Sequence, residues 1–161
     1  MTASNENGRP PVEGAEPPKA LGRVIGPVLK VLLRSPLHGL LSEQLMLLAF
    51  EGRKSRKRYE VVVGRHEVGG TLLVPSASPW RVNLRGGAPV EVTLAGRRRL
   101  GHAELIEDPD AVALAYKKLL DTLGTESAQR VGLRVNVDRE PSQEELKAAL
   151  VDHGAISVRL D

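Results

Sequence analysis

Residues 45–63 read LMLLAFEGRKSRKRYEVVV: two apolar runs on either side of a turn that carries five basic residues and one serine. Short runs of large and β-branched apolar residues, bounded by turn residues, are typical of strands. The stretch therefore predicts an antiparallel hairpin with strands over 45–51 and 58–65. Backbone N–H groups, a hydroxyl and fixed positive charge converge in such a turn, which suits a phosphate or several carboxylates. A basic loop that is simply solvated is the alternative.

The strand pattern continues after this hairpin. Residues 90–94 read VEVTL, the alternation of a half-buried strand. Further strands are predicted over 70–75, 89–95 and 98–106, with a tight hairpin turn at residues 95–97, Ala-Gly-Arg. Five or six short antiparallel strands at this spacing favour a small barrel. The expected fold class is therefore mainly β with flanking helices (α+β).

Helices are predicted both before and after the main run of strands in the sequence. Residues 19–34 combine an apolar 3.6-residue period with a strip of basic residues, which predicts an amphipathic helix that either covers the core or lies on a membrane surface. Residues 108–110, Asp-Pro-Asp, open a helix that runs to about Leu123. Ser142 begins a capping box and a short helix that ends near Gly154. Strands are also predicted over 131–137 and 155–160.

Length and composition limit the domain organisation and the location. The 161 residues suffice for one domain with its own core, predicted over 19–161. Residues 1–18 are polar and rich in Pro, Gly and Glu, which predicts a disordered tail. No apolar run approaches the roughly 18 residues of a membrane-spanning helix, and the N-terminus lacks a signal pattern. The expected location is the cytoplasm, with peripheral membrane contact through residues 19–34 as an alternative.

The residue types present exclude several kinds of site. Cysteine is absent, which excludes disulfides, thiolate nucleophiles and sulfur-ligated metals. The four histidines fall in four different segments without the short spacing of a ligand set, so no metal site is predicted. They are His38, His66, His102 and His153. A nucleic-acid-binding barrel is disfavoured because only Tyr59 stands beside a basic cluster, whereas single-strand binders need aromatic stacking platforms.

A second motif, PWRVNLRGGAP over residues 79–89, immediately precedes the strand predicted at 89–95. Together with residues 52–55, Gly-Arg-Lys-Ser, it resembles the paired motifs of the deazaflavin-dependent nitroreductase family of the flavin/deazaflavin oxidoreductases. That family has a Gly-Arg-Lys-Ser/Thr turn, then a Trp-x-x-Asn-Leu segment followed by a Pro and a strand. Arg53 and Trp80 are 27 positions apart here, and the resemblance covers residues 36–107.

The resemblance implies a split β-barrel of the FMN-binding type that holds coenzyme F420, an 8-hydroxy-5-deazaflavin. FMN is the alternative cofactor. The residues that it assigns to the cofactor phosphate are Arg53, Lys54 and Ser55. Those assigned to contact with the deazaflavin ring are Ser76, Ala77 and Ser78. The next three basic residues of the turn are expected to steer the cofactor, to bind carboxylates of its tail, or to be solvated; they are Arg56, Lys57 and Arg58.

Three further residues have two interpretations each. Trp80 is expected to anchor the core or to form a wall of the cofactor pocket, and Asn83 to tie down a turn or to bind the cofactor. Tyr116 lies on the helix after the barrel, where it either packs in the core or faces the substrate as a proton donor. Two features depart from the family pattern: Arg56 stands where the family commonly has Gly, and the loop before Trp80 is only Ser-Ala-Ser-Pro.

The implied activity is hydride transfer from reduced coenzyme F420 to a small electron-poor acceptor, namely a quinone, a nitroaromatic or an activated alkene. The sequence displays neither a nucleophile–base pair nor a carboxylate dyad, and hydride transfer requires neither. The alternatives are an FMN-dependent reductase and a non-catalytic carrier of a flavin, a fatty acid or another anionic lipid in the same barrel. A monomer or a homodimer is expected.

Overall fold

Strand pairing joins the central part of the chain and its last strand into one curled sheet. The computed structural model describes residues 8–15, 28, 30–36 and 44–161. The strands in this part of the chain are β1 (Val12–Gly14), β2 (Leu45–Glu51), β3 (Arg58–Gly64), β4 (Glu67–Val68), β5 (Thr71–Ser76), β6 (Ala88–Leu94), β7 (Arg97–Ile106), β8 (Leu133–Val135) and β9 (Gly154–Leu160). Seven of them form an antiparallel sheet in the order β3-β2-β6-β7-β9-β5-β4. The remaining two, β1 and β8, pair separately.

The larger sheet curls until β3 comes close to β5 without pairing with it. The barrel is therefore split along the seam between these two strands. Its interior is one apolar cluster, to which every strand of the curled sheet except β4 contributes alternate side chains. Met46, Leu48, Val92, Ala103 and Ile156 are completely buried in it. The predicted fold class, a mainly β split barrel with flanking helices, is confirmed.

Helices pack against the outer face of β5 and β9. After β7 come two α-helices, α1 (Pro109–Leu123) and α2 (Gln143–Ala149), and 3-10 helices span Pro79–Leu84 and Thr125–Val131. A second apolar core lies between α1, α2, the helix Thr125–Val131 and the small sheet. Leu73 and Ala155 join this core to the barrel from β5 and β9. The fold thus has two cores separated by one side of the sheet.

Local signals in the sequence account for several boundaries. The Asp108 carboxylate accepts a hydrogen bond from Ala111 N at 3.0 Å and caps α1. Gly124, with φ of 85°, ends that helix and donates to Leu120 O. Ala95 and Gly96 have φ of 49° and 74°, the left-handed pair that a two-residue type I′ hairpin requires.

Three predictions about secondary structure need correction. Residues 12–14, placed in the disordered tail, form β1, because Val12 is buried in the second core and the strand pairs with β8. The strand predicted over 131–137 is only Leu133–Val135, since Val131 ends a 3-10 helix that Gly132 closes with φ of 77°. The helix after Ser142 ends at Ala149 rather than near Gly154, because Leu150 begins a turn that His153 N closes on Leu150 O.

Only the end of the predicted basic helix 19–34 is described. Residues 28 and 30–34 are helical, and the helix ends at Arg34, just before Ser35 and Pro36. Arg34 pairs with Glu60 on β3, and Leu33 is buried, whereas Val31 is exposed. Residues 19–27, and residues 1–7 and 16–18 of the predicted tail, lie outside the described residues. Within the described part of the chain, no helix combines the length and the apolar character needed to cross a membrane.

Candidate ligand-binding site at the split of the barrel

The basic turn between β2 and β3 is closed by its own backbone. Gly52 N donates to Lys57 O at 2.8 Å, and Arg56 N donates to Gly52 O at 3.0 Å. A β-carbon at Gly52 would lie 2.5 Å from Ser55 Oγ and 2.7 Å from Tyr59 Cε2, so any other residue there would have to push these side chains aside. Arg56 has φ of 58°, the left-handed conformation that glycine adopts more easily. The turn therefore keeps the backbone that glycine favours at position 56 although arginine stands there.

The two sequence motifs contact each other directly. Arg53 N donates to Asn83 Oδ1 at 3.0 Å, and Asn83 Nδ2 donates to Trp80 O at 2.8 Å. Asn83 thus fastens the turn to the 3-10 helix Pro79–Leu84 with both ends of its amide. This is the tie-down arrangement, one of the two interpretations of Asn83.

Aromatic rings support the same junction. Phe50 stacks on Trp80 with ring centroids 5.4 Å apart and on Tyr59 at 5.9 Å, both at an interplanar angle of 25°. Three of the four aromatic residues in the chain therefore form one ladder, and each stacked pair contributes about 0.5–1.5 kcal/mol beyond burial. The Tyr59 hydroxyl lies 3.1 Å from Ser55 Oγ. Sequence reasoning missed this ladder, although the scarcity of aromatics was a signal that each one deserved explanation.

The basic side chains of the turn divide into paired and unpaired groups. Arg56 pairs with Glu51 at 3.0 Å, and Arg58 pairs with Glu91 at 2.8 Å. For the three other cations the described part of the chain supplies no carboxylate partner; these are Arg53, Lys54 and Lys57. All of them are exposed.

The turn also retains unused hydrogen-bond donors. The N–H groups of Lys54 and Ser55 have no acceptor among the described residues. The Ser55 hydroxyl already accepts from Lys57 N at 3.3 Å. Two backbone donors and three cations with no described partner at one exposed turn fit an anionic group such as a phosphate.

A cavity of about 640 Å³ opens at the seam between β3 and β5. One wall comes from the end of β5 and the loop that follows it, and includes four of the predicted site residues, Ser76, Ala77, Ser78 and Trp80. The turn residues 52–58 do not line the cavity. Trp80 belongs to both places, because it lines the cavity and also stacks on Phe50 beneath the turn. Both interpretations of Trp80 are therefore compatible with its position.

A second part of the cavity wall comes from elements that no motif connects. It includes His66, just after β3, and the end of the 3-10 helix Thr125–Val131 with Arg130. Tyr116 and His153 also line it, with their rings 6.1 Å apart in an edge-on arrangement. Tyr116 is completely buried, and its hydroxyl donates to Gly154 O at 3.4 Å.

His66 is a buried imidazole in this wall. It is only 5 % exposed, and neither ring nitrogen has a hydrogen-bond partner among the described residues. The ring lies against Gly64, where a β-carbon would come within 2.6 Å of Nε2. Burial, and secondly the positive charge of Arg130, lower the pKa of His66 below its ordinary value of 6.5. Sequence reasoning treated this histidine only as a non-ligand, and the one local signal was the glycine two positions before it.

Comparisons with known proteins give matches among solved structures only. No family model matches the sequence, and no curated protein matches it. An F420-H2 dependent reductase (FDR-A) is 17% identical, with 72% of this chain and 94% of that chain covered and a TM-score of 0.44. A pyridoxamine 5'-phosphate oxidase-related, FMN binding protein from Nostoc punctiforme PCC 73102 is 12% identical, with 83% and 78% covered and a TM-score of 0.47. The FAD and heme binding protein from Mycobacterium smegmatis is 19% identical, with 82% and 70% covered and a TM-score of 0.41. Structures of an F420-H2 dependent reductase and of an FMN binding protein are thus among those similar to this chain.

Proposed function

We propose that this protein is an oxidoreductase that binds coenzyme F420 at the split of the barrel and passes hydride from its reduced form to an electron-poor acceptor. The acceptor classes are those that the sequence resemblance implies: quinones, nitroaromatics and activated alkenes. One observation carries the proposal. The hydrogen bond between Arg53 N and Asn83 Oδ1 joins the basic turn to the segment that forms the cavity wall, so that an anion site and a cavity adjoin.

The turn suits the phosphate of such a cofactor. Three cations without a described carboxylate partner, Arg53, Lys54 and Lys57, surround two unused backbone N–H groups. Charge-assisted hydrogen bonds from such donors to a phosphate are short and about twice as strong as neutral ones. Arg56 and Arg58 already pair with carboxylates, so we assign them a smaller share of the binding than their charge alone suggests.

The cavity suits the ring system. Its volume of about 640 Å³ lies within the range of roughly 300–1,000 Å³ that small-molecule sites occupy. The segment Ser76–Ser78 offers backbone and hydroxyl groups along one wall, and Trp80 closes the end towards the turn. These residues bind and orient the ring in the proposal.

The hydride chemistry is the cofactor's own when it is bound. The chain then has to position two flat molecules against each other, and the cavity offers both hydroxyl-bearing and cationic groups for this. Tyr116 stays a candidate proton donor, although its hydroxyl already donates to Gly154 O. Solvent at the open side of the cavity is the other source of that proton.

A fluorescence titration of oxidised coenzyme F420 with the purified protein tests the proposal. We expect micromolar binding that weakens at least tenfold in Lys54→Ala, a loss of about 1.4 kcal/mol. Lys118→Ala, which removes an exposed lysine on α1, is the matched control and should bind like the wild type. FMN is titrated in parallel. Absence of coenzyme F420 binding overturns the proposal, and tight binding of FMN alone would identify FMN as the cofactor.

A further inference from the structure

The wall of the cavity at the seam carries charge of only one sign. It combines the hydroxyl-bearing residues Ser76 and Ser78 with Arg130 and two histidines, His66 and His153. Among the described residues that line the cavity, none is an aspartate or a glutamate. A cavity with fixed positive charge and no carboxylate to neutralise it attracts anionic ligands and disfavours cationic ones.

Arg130 carries the permanent charge of this wall. It stands in the last turn of the 3-10 helix Thr125–Val131, between Ala128 and Val131, which are both buried in the second core. The Gly132 N–H bonds back to the carbonyls of Ala128 and Gln129, which fixes the backbone there. The Arg130 side chain is exposed and has no carboxylate partner within the part of the chain that the structure describes. An anchored backbone thus presents an unneutralised guanidinium at the cavity.

His66 strengthens the preference of the cavity for anionic over cationic ligands. Its buried imidazole lies near enough to Arg130 for the guanidinium to disfavour protonation of the ring. The pair therefore resists a second positive charge at this wall. A carboxylate bound to Arg130 would remove part of that repulsion.

We propose that Arg130 recognises the electron acceptor, and that the acceptor bears a carboxylate which pairs with this guanidinium in the cavity that Ser76 and Ser78 also line. The assignment of the ligand as an acceptor rests on the proposed function; the carboxylate site itself does not. The planar fork of a guanidinium matches the two oxygens of a carboxylate. The electron-poor part of the acceptor then lies towards the Ser76–Ser78 wall, where the proposed function puts the deazaflavin ring.

The test uses two probes of equal size and different charge, 4-nitrobenzoate and 4-nitrobenzamide. Trp80 is the only tryptophan of the chain and lines the same cavity, so its fluorescence reports binding in the full-length protein. On the wild type we expect 4-nitrobenzoate to bind at least tenfold more tightly than 4-nitrobenzamide. Arg130→Gln should abolish that preference and leave the 4-nitrobenzamide affinity unchanged. Arg130→Lys, which keeps the charge and loses the fork, should give an intermediate preference.

Arg97→Gln is the matched control, because it removes an exposed arginine at the β6–β7 turn, which does not line the cavity. It should retain the wild-type preference. Equal affinity of the wild type for both probes overturns the proposal, as does an Arg130→Gln protein that still prefers 4-nitrobenzoate.

A coenzyme F420 titration of Arg130→Gln separates this proposal from the proposed function. We expect the coenzyme affinity of this variant to stay within about twofold of the wild type. A tenfold loss would assign the guanidinium to the cofactor and overturn the acceptor assignment. If the wild type does not bind coenzyme F420 but shows the Arg130-dependent preference, the carboxylate site stands and the acceptor assignment fails together with the proposed function.

Discussion

The two halves of the candidate site, the basic turn 52–58 and the cavity wall that contains His66 and Arg130, are built in different ways. The turn closes on itself within six residues and needs one outside partner, Asn83. The wall brings together residues from after β3, from α1 and from the helix Thr125–Val131, which are far apart in sequence. A short turn leaves a recognisable spacing of residue types in the sequence, whereas a wall assembled by packing leaves none. The variants below test whether the two halves are energetically separate.

The largest effect is expected where the halves meet, at Trp80. Trp80→Ala removes the stack on Phe50 and opens one end of the cavity. We expect a loss of about 3 kcal/mol in the free energy of unfolding, at the lower end for a large aromatic because Trp80 is only half-buried. A urea titration measures it as a lower midpoint at an unchanged m-value. Val82→Ala, an exposed position of the same helix, should cost less than about 0.5 kcal/mol; equal losses in the two variants would refute the anchoring role.

The sequence predicts the local features of the fold and leaves open those that depend on packing between distant segments. The alternation along 90–94, the cap at Asp108 and the stop at Gly124 are local signals, and the structure confirms the elements that they predict. Strand β1 was missed because Val12 is held by packing on residues far along the chain. Three isolated residues with a single apolar side chain offer no period to read.

The candidate site shows the same difference between local and packing-dependent features. The Arg53–Asn83 bond joins two segments that the sequence already marked by their residue types and spacing. His66 and Arg130 are 64 positions apart, and neither belongs to a pattern. Their proximity depends on how the second core positions the helix Thr125–Val131 against the barrel, which is a tertiary property.

A pair of glycine variants probes each half without a change of charge. In Gly52→Ala the new β-carbon meets Ser55 and Tyr59 in the turn, and in Gly64→Ala it meets the His66 ring in the cavity. Overpacking of this kind costs about 1–3 kcal/mol. We expect Gly52→Ala to weaken coenzyme F420 binding and Gly64→Ala to weaken 4-nitrobenzoate binding, each at least fivefold by fluorescence titration. Each variant is the control for the other, and equal losses of both ligands in both variants would show that the halves are one unit.

A smaller effect is expected for the hydrogen bonds of Asn83. Asn83→Ala removes the acceptor for Arg53 N and the donor to Trp80 O, which we expect to cost about 1–2 kcal/mol. Asn83→Asp keeps the acceptor but loses the donor and adds a negative charge beside the turn, so it should retain more of the unfolding free energy than Asn83→Ala and bind the coenzyme more weakly than the wild type. Urea midpoints and F420 titrations measure both variants. A coenzyme affinity that is unchanged in Asn83→Ala would mean that the turn keeps its shape without this fastening.

The smallest effect is a dependence on pH that only the cavity half should show. Because the pKa of His66 is lowered in the folded protein, the unfolded chain binds more protons at this residue in the interval below its ordinary value of 6.5. The contribution of His66 to stability is therefore complete above pH 6.5 and is lost as the pH falls below it. Subtracting the unfolding free energies of His66→Leu from those of the wild type at pH 5.5 and 7.5 isolates this contribution. We expect the difference to favour the wild type more at pH 7.5, and the opposite sign would contradict the assigned shift.

The titration of His66 also reports whether a ligand neutralises the charge of Arg130. Burial is the larger cause of its lowered pKa and the Arg130 charge the smaller, so a carboxylate on the guanidinium should remove only the smaller part. In NMR titrations of the imidazole protons, saturating 4-nitrobenzoate should therefore raise the pKa of His66 without restoring its ordinary value. 4-Nitrobenzamide should leave the pKa where it was, and in Arg130→Gln neither probe should move it. A shift of equal size with both probes would mean that filling the cavity, rather than neutralising Arg130, changes the surroundings of the ring.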